Sequence, residues 1–174
     1  MGSRRTLVGA QAVDFDGFFR AQYRSVTGLA YVLCGDIGRA EDLAQEAFAA
    51  AHRSWPKISG YDDPGAWVRR VVANRATSLR RRRSAEERAV ARLQSRRAPG
   101  NTENAIDDAA VWRAVRSLPR RQAQVLALTF LDDLDVREVA RVLKCGEATV
   151  KTHLHRAKAT LAQRLGLEHE TEDG

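Results

Sequence analysis

Four side chains near the C-terminus, Lys151, Thr152, His155 and Arg156, place cationic donors, a hydroxyl and an imidazole within six positions. With Val150 set at zero and about 100° per residue, Val150, Leu154, Ala157, Leu161 and Leu165 fall near one line, while Ala148, Thr152, His155, Arg156 and Ala159 point roughly the opposite way. Donors and a hydroxyl among small residues on the outer side of a helix are what reading base edges in a major groove requires. Lys151 and Lys158 flank them within reach of phosphates. A solvated polar face is the alternative for any isolated helix, but a capped helix and a tight turn precede this one. A zinc site made from Cys145, His153 and His155 fails on direction, because residues two apart on a helix point about 200° apart.

A second polar stripe, Arg70, Asn74, Thr77 and Arg81, recurs at spacings of four, three and four, so it shares one helix face beside Val71, Val72 and Leu79. Such a stripe can hold a nucleic-acid backbone, and the Asn74 amide can pair with a base edge. Tyr61 and Trp67 lie close enough in sequence to stack on unpaired bases, with core packing as the alternative for both. Arg75 falls within the apolar face, where a snorkelling stem or a neighbouring acid must accommodate it. A third set, Asp42, Gln45 and Glu46, forms an acidic patch, either a solvated face or a surface suited to a basic partner.

The elements that must position these groups are helical throughout. Phe15, Phe18, Phe19, Tyr23, Val26, Ala30 and Leu33 recur at three and four residues and predict a first helix, which Gly35-Asp36 interrupts. Ala40, Leu43, Ala44, Ala47, Phe48 and Ala51 continue the period up to Trp55-Pro56. Asp63-Pro64 supplies an N-cap and a first-turn proline for a third helix. That helix carries Trp67, Val68, Val71, Val72 and Leu79 and runs into Arg80 to Arg83. Val111, Trp112, Val115 and Leu118, then Val125, Leu126, Leu128 and Leu131, predict two short helices around Pro119. Asp135 can cap a further helix with Glu138 reaching back, and Lys144-Cys145-Gly146 turns into the helix of Val150. The last two make helix-turn-helix spacing. The predicted fold is all-α: two small helical domains joined by a flexible basic linker, the C-terminal one a helix-turn-helix.

The chain of 174 residues has 29 Lys and Arg against 22 Asp and Glu. Four of those acids, Glu168, Glu170, Glu172 and Asp173, sit in the last seven positions, so residues 1–167 carry 29 basic groups against 18 acidic ones, a net +11. A surplus of that size suits a polyanionic partner. Two distant cysteines and the lack of a secretory leader predict a cytoplasmic protein without disulfides, and charged residues interrupt every apolar stretch too soon for a membrane span. No Gly-rich phosphate loop, Ser/His or Cys/His pairing, or paired carboxylates occur at useful spacing, so neither an enzyme nor a cofactor is expected.

Two stretches carry a family resemblance: Arg39-Ala40-Glu41-Asp42-Leu43-Ala44-Gln45-Glu46-Ala47-Phe48 and Ala66-Trp67-Val68-Arg69-Arg70-Val71-Val72-Ala73-Asn74. They resemble domain 2 of the extracytoplasmic-function (ECF) sigma factors of bacterial RNA polymerase, in an actinobacterial style. Leu118-Pro119-Arg120-Arg121-Gln122 and Glu138-Val139-Ala140, followed by the run Thr149 to Lys158, resemble domain 4 of the same family. The resemblance implies domain 2 at 14–83, a linker at 84–106, domain 4 at 107–167 and an acidic tail at 168–174. It further implies that Asp42, Gln45, Glu46 and Phe48 dock on the clamp helices of the polymerase largest subunit. Asn74 matches the position that holds a flipped base of the minus-ten element, with the loop from Lys57 to Asp63 closing over it and Tyr61, Trp67, Arg70, Thr77 and Arg81 nearby. Lys151, Thr152, His155 and Arg156 match readers of the minus-thirty-five element, with Arg120 and Arg121 near its phosphates. The implied partners are the polymerase core, including its flap, double- and single-stranded promoter DNA, and an anti-sigma protein. Lys144 stands in the turn where glycine is frequent in the family.

Residues 84–106, fully extended, reach about 75 Å. Two promoter elements roughly 16 base pairs apart lie about 55 Å from each other, within that reach. Two rival readings fit less well: a free-standing helix-turn-helix regulator, for which residues 14–97 offer no receiver pattern, and a small helical nuclease, for which no metal-binding carboxylates face the arginines.

Overall fold

The structure, a computed structural model, describes residues 14–93 and 108–166, which form eight α-helices and no strand. These are α1 (Phe15–Cys34), α2 (Ile37–Arg53), α3 (Trp55–Ile58), α4 (Pro64–Leu93), α5 (Asp108–Arg116), α6 (Arg120–Phe130), α7 (Val136–Leu143) and α8 (Glu147–Arg164).

Local chemistry sets the first breaks. Gly35 ends α1 with φ of 81°, a conformation that costs a residue without Cβ little, and its N–H donates to the Tyr31 carbonyl at 2.7 Å. Asp36 then caps α2, its carboxylate accepting from the Arg39 N–H at 3.0 Å. Asp63 does the same for α4 through the Ala66 N–H at 2.9 Å, with Pro64 at the first helical position. Helices α1, α2 and α4 pack around Val26, Leu29, Leu33, Leu43, Val68 and Val72, all buried. Each such side chain contributes about 1.5–3 kcal/mol through removal from water. An aromatic cluster of Phe15, Phe18, Phe19, Tyr23, Phe48 and Trp55 closes the α1–α2–α3 corner, with the Phe19 and Phe48 rings 4.9 Å apart.

Helix α4 does not stop at the arginine run. It continues to Leu93, so the first ten residues of the expected linker, 84–93, are helical; residues 94–106 lie outside the described residues. Thirty residues at 1.5 Å each make a rod of about 45 Å.

In the second half α6 is the hub, packing against α5, α7 and α8 and burying six consecutive residues from Ala123 to Leu128. Asp135 and Glu138 form the expected capping box, with N–H to carboxylate distances of 2.7 and 2.8 Å. Replacing Asp135 by alanine is expected to cost about 1 kcal/mol. A thermal melt should drop by about 2–4 °C.

The two halves are packed together. Helix α1 touches α5 and α6, and α4 touches α6 and α7, so one apolar cluster runs through both.

Candidate nucleic-acid interface

The turn between α7 and α8 is built on Lys144, which adopts a left-handed conformation (φ 51°) normally left to glycine or asparagine. The Cys145 N–H donates to the Ala140 carbonyl at 3.1 Å, closing the end of α7. The register of the turn therefore holds without glycine at that place. Val150 and Ala157 are fully buried against the rest of the domain, and Leu154 and Leu161 are half-buried. Thr152, His155 and Arg156 are exposed on the opposite face, as the 100° arithmetic places them, and Lys151 is exposed at its flank. Thr152 donates its hydroxyl to the Ala148 carbonyl at 2.9 Å, leaving its lone pairs free to accept. These four groups form one open surface at the N-terminal half of α8.

The stripe on α4 has a different environment. Tyr61 is exposed, and with Trp67 and Arg70 it lines a cleft of about 500 Å³ whose far wall is Arg141, Val142 and Lys144 of the second half. Arg81 is exposed. Asn74 is not open: its Oδ1 accepts from Arg120 Nη2 at 2.5 Å and from Gln124 Nε2 at 3.2 Å. Thr77 corrects the sequence reading. It is fully buried, donates to the Ala73 carbonyl at 2.7 Å and accepts from Gln124, so its hydroxyl serves helix packing and cannot touch nucleic acid in this arrangement.

Gln124 escaped the sequence reading. It is fully buried, and its Nε2 also donates to the Ala73 carbonyl at 3.0 Å. A buried amide demands partners, and a lone glutamine inside the apolar run from Ala123 to Leu128 was the available signal.

Arg120 is a second correction. Its guanidinium turns into the seam toward Asn74 rather than outward to a phosphate, whereas Arg121 remains exposed and donates to Gln124 Oε1 at 3.2 Å. Arg80 and Arg116 lie in the same seam, donating to the carbonyls of Leu118 and Val32 at 3.3 and 3.2 Å. All three guanidiniums have affinities for their proton pulled below the ordinary arginine value, first by burial; neighbouring arginines add to it at Arg80 (Arg116 and Arg81) and at Arg120 (Arg121 and Arg81), whereas at Arg116 Tyr31 and Cys34 oppose the shift and Arg113 adds a smaller part. Burial also pushes the Cys34 thiol up, and its Sγ donates to the Asp36 carbonyl.

On the opposite side of the first half, Asp42, Gln45 and Glu46 are exposed along α2. Phe48 is not with them. It is 2% exposed and packed among Phe18, Phe19 and Tyr23, so it supports the patch from below and offers no docking surface. Arg75 finds its acid in Glu46, whose Oε2 accepts from Nη1 at 2.5 Å, above a groove lined by Leu43, Ser78, Leu79 and Arg82.

Comparison with known families fits this geometry at both ends. Residues 18–86 match Sigma-70 region 2, and residues 108–161 match Sigma-70, region 4. The RNA polymerase sigma-E factor of Streptomyces antibioticus is 30% identical over 155 residues, covering 89% of this chain and 86% of that protein. The ECF RNA polymerase sigma factor SigM of Mycobacterium tuberculosis is 30% identical over 160 residues, covering 91% and 81%. Among solved structures, the sigma factor RpoE of Bartonella quintana, crystallised with the anti-sigma factor NepR, superposes with a TM-score of 0.69 at 19% identity, covering 90% of this chain and 99% of that one. CnrH, solved with the cytosolic domain of CnrY, superposes with a TM-score of 0.62 at 21% identity, covering 89% of each chain. A region 2 bundle joined to a region 4 helix-turn-helix defines an initiation factor for bacterial RNA polymerase, and the chain belongs to the sigma-70 family. Within that family it is an ECF sigma factor, serving promoter-specific initiation of transcription.

Proposed function

We propose that this sigma factor reads the minus-thirty-five element through Lys151, Thr152, His155 and Arg156 of α8, and the minus-ten element through Asn74 with Tyr61, Trp67, Arg70 and Arg81. The observation that carries the reading is the open face of α8, where four groups able to address bases and phosphates project together from a rigid, capped helix pair. Asp42, Gln45 and Glu46 dock on the clamp helices of the polymerase largest subunit, and domain 4 meets the flap. The working units are domain 2 at 14–83, a linker at 84–106 and domain 4 at 107–167, with an acidic tail at 168–174. The protein catalyses nothing itself, acts in the cytoplasm, and is held in reserve by an anti-sigma protein, a partner class that the RpoE complex exemplifies.

Run-off transcription with sigma-free core polymerase on a pool of host promoter fragments tests this directly. Specific transcripts that require the protein, and that fall with either Asn74→Ala or Asp42→Arg, are the expected result. No transcript across the pool, together with tight duplex binding by the protein alone, would instead establish a free-standing regulator.

A further inference from the structure

The stripe that carries Asn74 does not end at Arg81. With Arg81 set at zero and about 100° per residue, positions 70, 74, 88 and 92 all fall within about 20° of it, so one line of Arg70, Asn74, Arg81, Arg88 and Arg92 runs along α4 to its last turn. Beyond Arg81 the flanking positions 84, 85, 89 and 91 hold only serine or alanine, which lets a partner come close to the helix. The two acids of this stretch, Glu86 and Glu87, sit about 140° and 120° off the line, one turn beyond Arg82 and Arg83.

That sorting of charge is not what holds a solvated helix together. Opposite charges three or four residues apart support a helix, yet no acid stands at either distance from Arg81, Arg88 or Arg92. Arg88 and Arg92 are instead like charges four apart, which oppose each other. Arg81 is exposed, and at Arg80 and Arg120, where burial is the first cause of a lowered proton affinity, its charge adds to the shift. The line therefore starts in positive potential and gathers more, with compensation left to an outside anion. We propose that Arg81, Arg88 and Arg92 form a cationic rail for the phosphates of the double-stranded spacer just upstream of the minus-ten element. This rests on the reading of Asn74 as the minus-ten contact.

Direction and length both fit. Domain 4 follows α4 in the chain and reads the minus-thirty-five element, so the helix leaves Asn74 toward upstream DNA. From Asn74 to Leu93 is about 28 Å at 1.5 Å per residue, the length of about eight base pairs at 3.4 Å each. Residues 94–106 could extend to about 43 Å, enough for the remaining 27 Å or so of a spacer about 55 Å long. Along the axis Arg88 lies about 10.5 Å beyond Arg81, and Arg92 about 6 Å beyond Arg88. A duplex offers one phosphate charge per about 1.7 Å of its axis, so each guanidinium meets a phosphate without a fixed register. Such contacts carry no base sequence; they add affinity and salt dependence and hold α4 over the spacer.

Holoenzyme made with full-length wild type or with Arg88→Ala/Arg92→Ala is titrated with the promoter fragment found by run-off, from about 50 to 200 mM salt. Alanine preserves helix propensity, and neither arginine is among the contacts already assigned to minus-ten DNA or polymerase. Each neutralised phosphate contributes about 0.9 to the logarithmic salt slope, so the variant's slope should be shallower by about 1.8 and its loss of affinity over that range about 12-fold smaller. Arg82→Ala/Arg83→Ala, which removes the same charge from the other side of α4, should keep the wild-type slope. Neutral methylphosphonates in place of the phosphates of the first eight or so spacer base pairs locate the contact. Wild type should weaken on them to the affinity of the double variant, while the double variant stays nearly unchanged. Circular dichroism checks folding, and Arg88→Gln/Arg92→Gln replaces a double alanine that fails to fold.

Equal losses for both proteins on the neutral spacer, or a slope lowered as much by the Arg82/Arg83 pair, overturn the proposal. A slope difference that persists on a fork fragment without spacer duplex places the arginines on the melted strand and overturns it as well. Asn74→Ala on the same fragments separates the rail from the reading beneath it: preference for minus-ten bases should fall while the methylphosphonate effect stays. Lost preference without that effect refutes the rail alone, whereas the effect with unchanged preference refutes the base contact by Asn74 and leaves the rail standing.

Discussion

Phe48→Ala is expected to destabilise the folded chain by about 3–5 kcal/mol, the usual cost of truncating a large buried aromatic. Phe48 is 2% exposed, and its ring sits 4.9 Å from Phe19 and 6.0 Å from both Phe18 and Tyr23, so truncation opens a cavity bounded by other rings that cannot all collapse inward. A whole domain has only about 5–15 kcal/mol to lose. Urea denaturation followed by circular dichroism should show the midpoint falling sharply. A change below about 1 kcal/mol would mean that Phe48 is not core. The comparison with Asp42→Arg is what gives the result its meaning. Asp42 is exposed on the same helix, and exposed substitutions usually stay within about 0.5 kcal/mol. Loss of transcription by Phe48→Ala therefore reports unfolding, while loss by Asp42→Arg at unchanged stability reports a lost partner.

Phe48 also shows where reading the sequence works and where it does not. Its spacing with Ala44, Ala47 and Ala51 already placed it on the buried stripe, and family analogy moved it to the surface; the spacing was the better guide. Short-range signals fared well because their causes are short-range. Gly35-Asp36, Asp63-Pro64 and the Asp135/Glu138 pair each act within one helical turn: the first breaks the chain between α1 and α2 as expected, and the other two form the caps expected of them. The extension of α4 through Leu93 was less visible. Its Arg-, Ala- and Glu-rich stretch has high helix propensity but no apolar period to announce it. The seam was invisible for another reason: Asn74 meets Arg120 and Gln124 across about fifty residues, and Ser25 meets Asp132 across 107, so no local pattern encodes the pairing. Both sides of the seam were nonetheless singled out, one by its chemistry as a polar stripe and the other by the family resemblance as a pair of arginines.

The face of α8 leads to the other large effect. Arg156→Ala should weaken binding to a minus-thirty-five duplex by about 1–3 kcal/mol, or roughly 5- to 150-fold, which is the value of a good side-chain contact to a guanine edge. Arg156 is exposed and projects from a helix whose buried side, Val150 and Ala157, is locked against the domain. Removing it therefore leaves the fold intact and takes away only the contact. Magnitude alone does not separate base reading from phosphate attraction, because both weaken binding. The pattern over sequence and salt does. A lost base contact relaxes preference at one position and leaves the salt dependence unchanged, whereas a lost phosphate contact weakens all sequences alike and reduces the logarithmic salt slope by about one. Binding of wild type and Arg156→Ala to every single-base variant of the element, at two salt concentrations, should show the first pattern. Lys151→Ala, at the edge of the same face, should show the second. The reverse assignment would rotate the recognition helix in its groove and move the reading of bases toward Lys151 and Thr152.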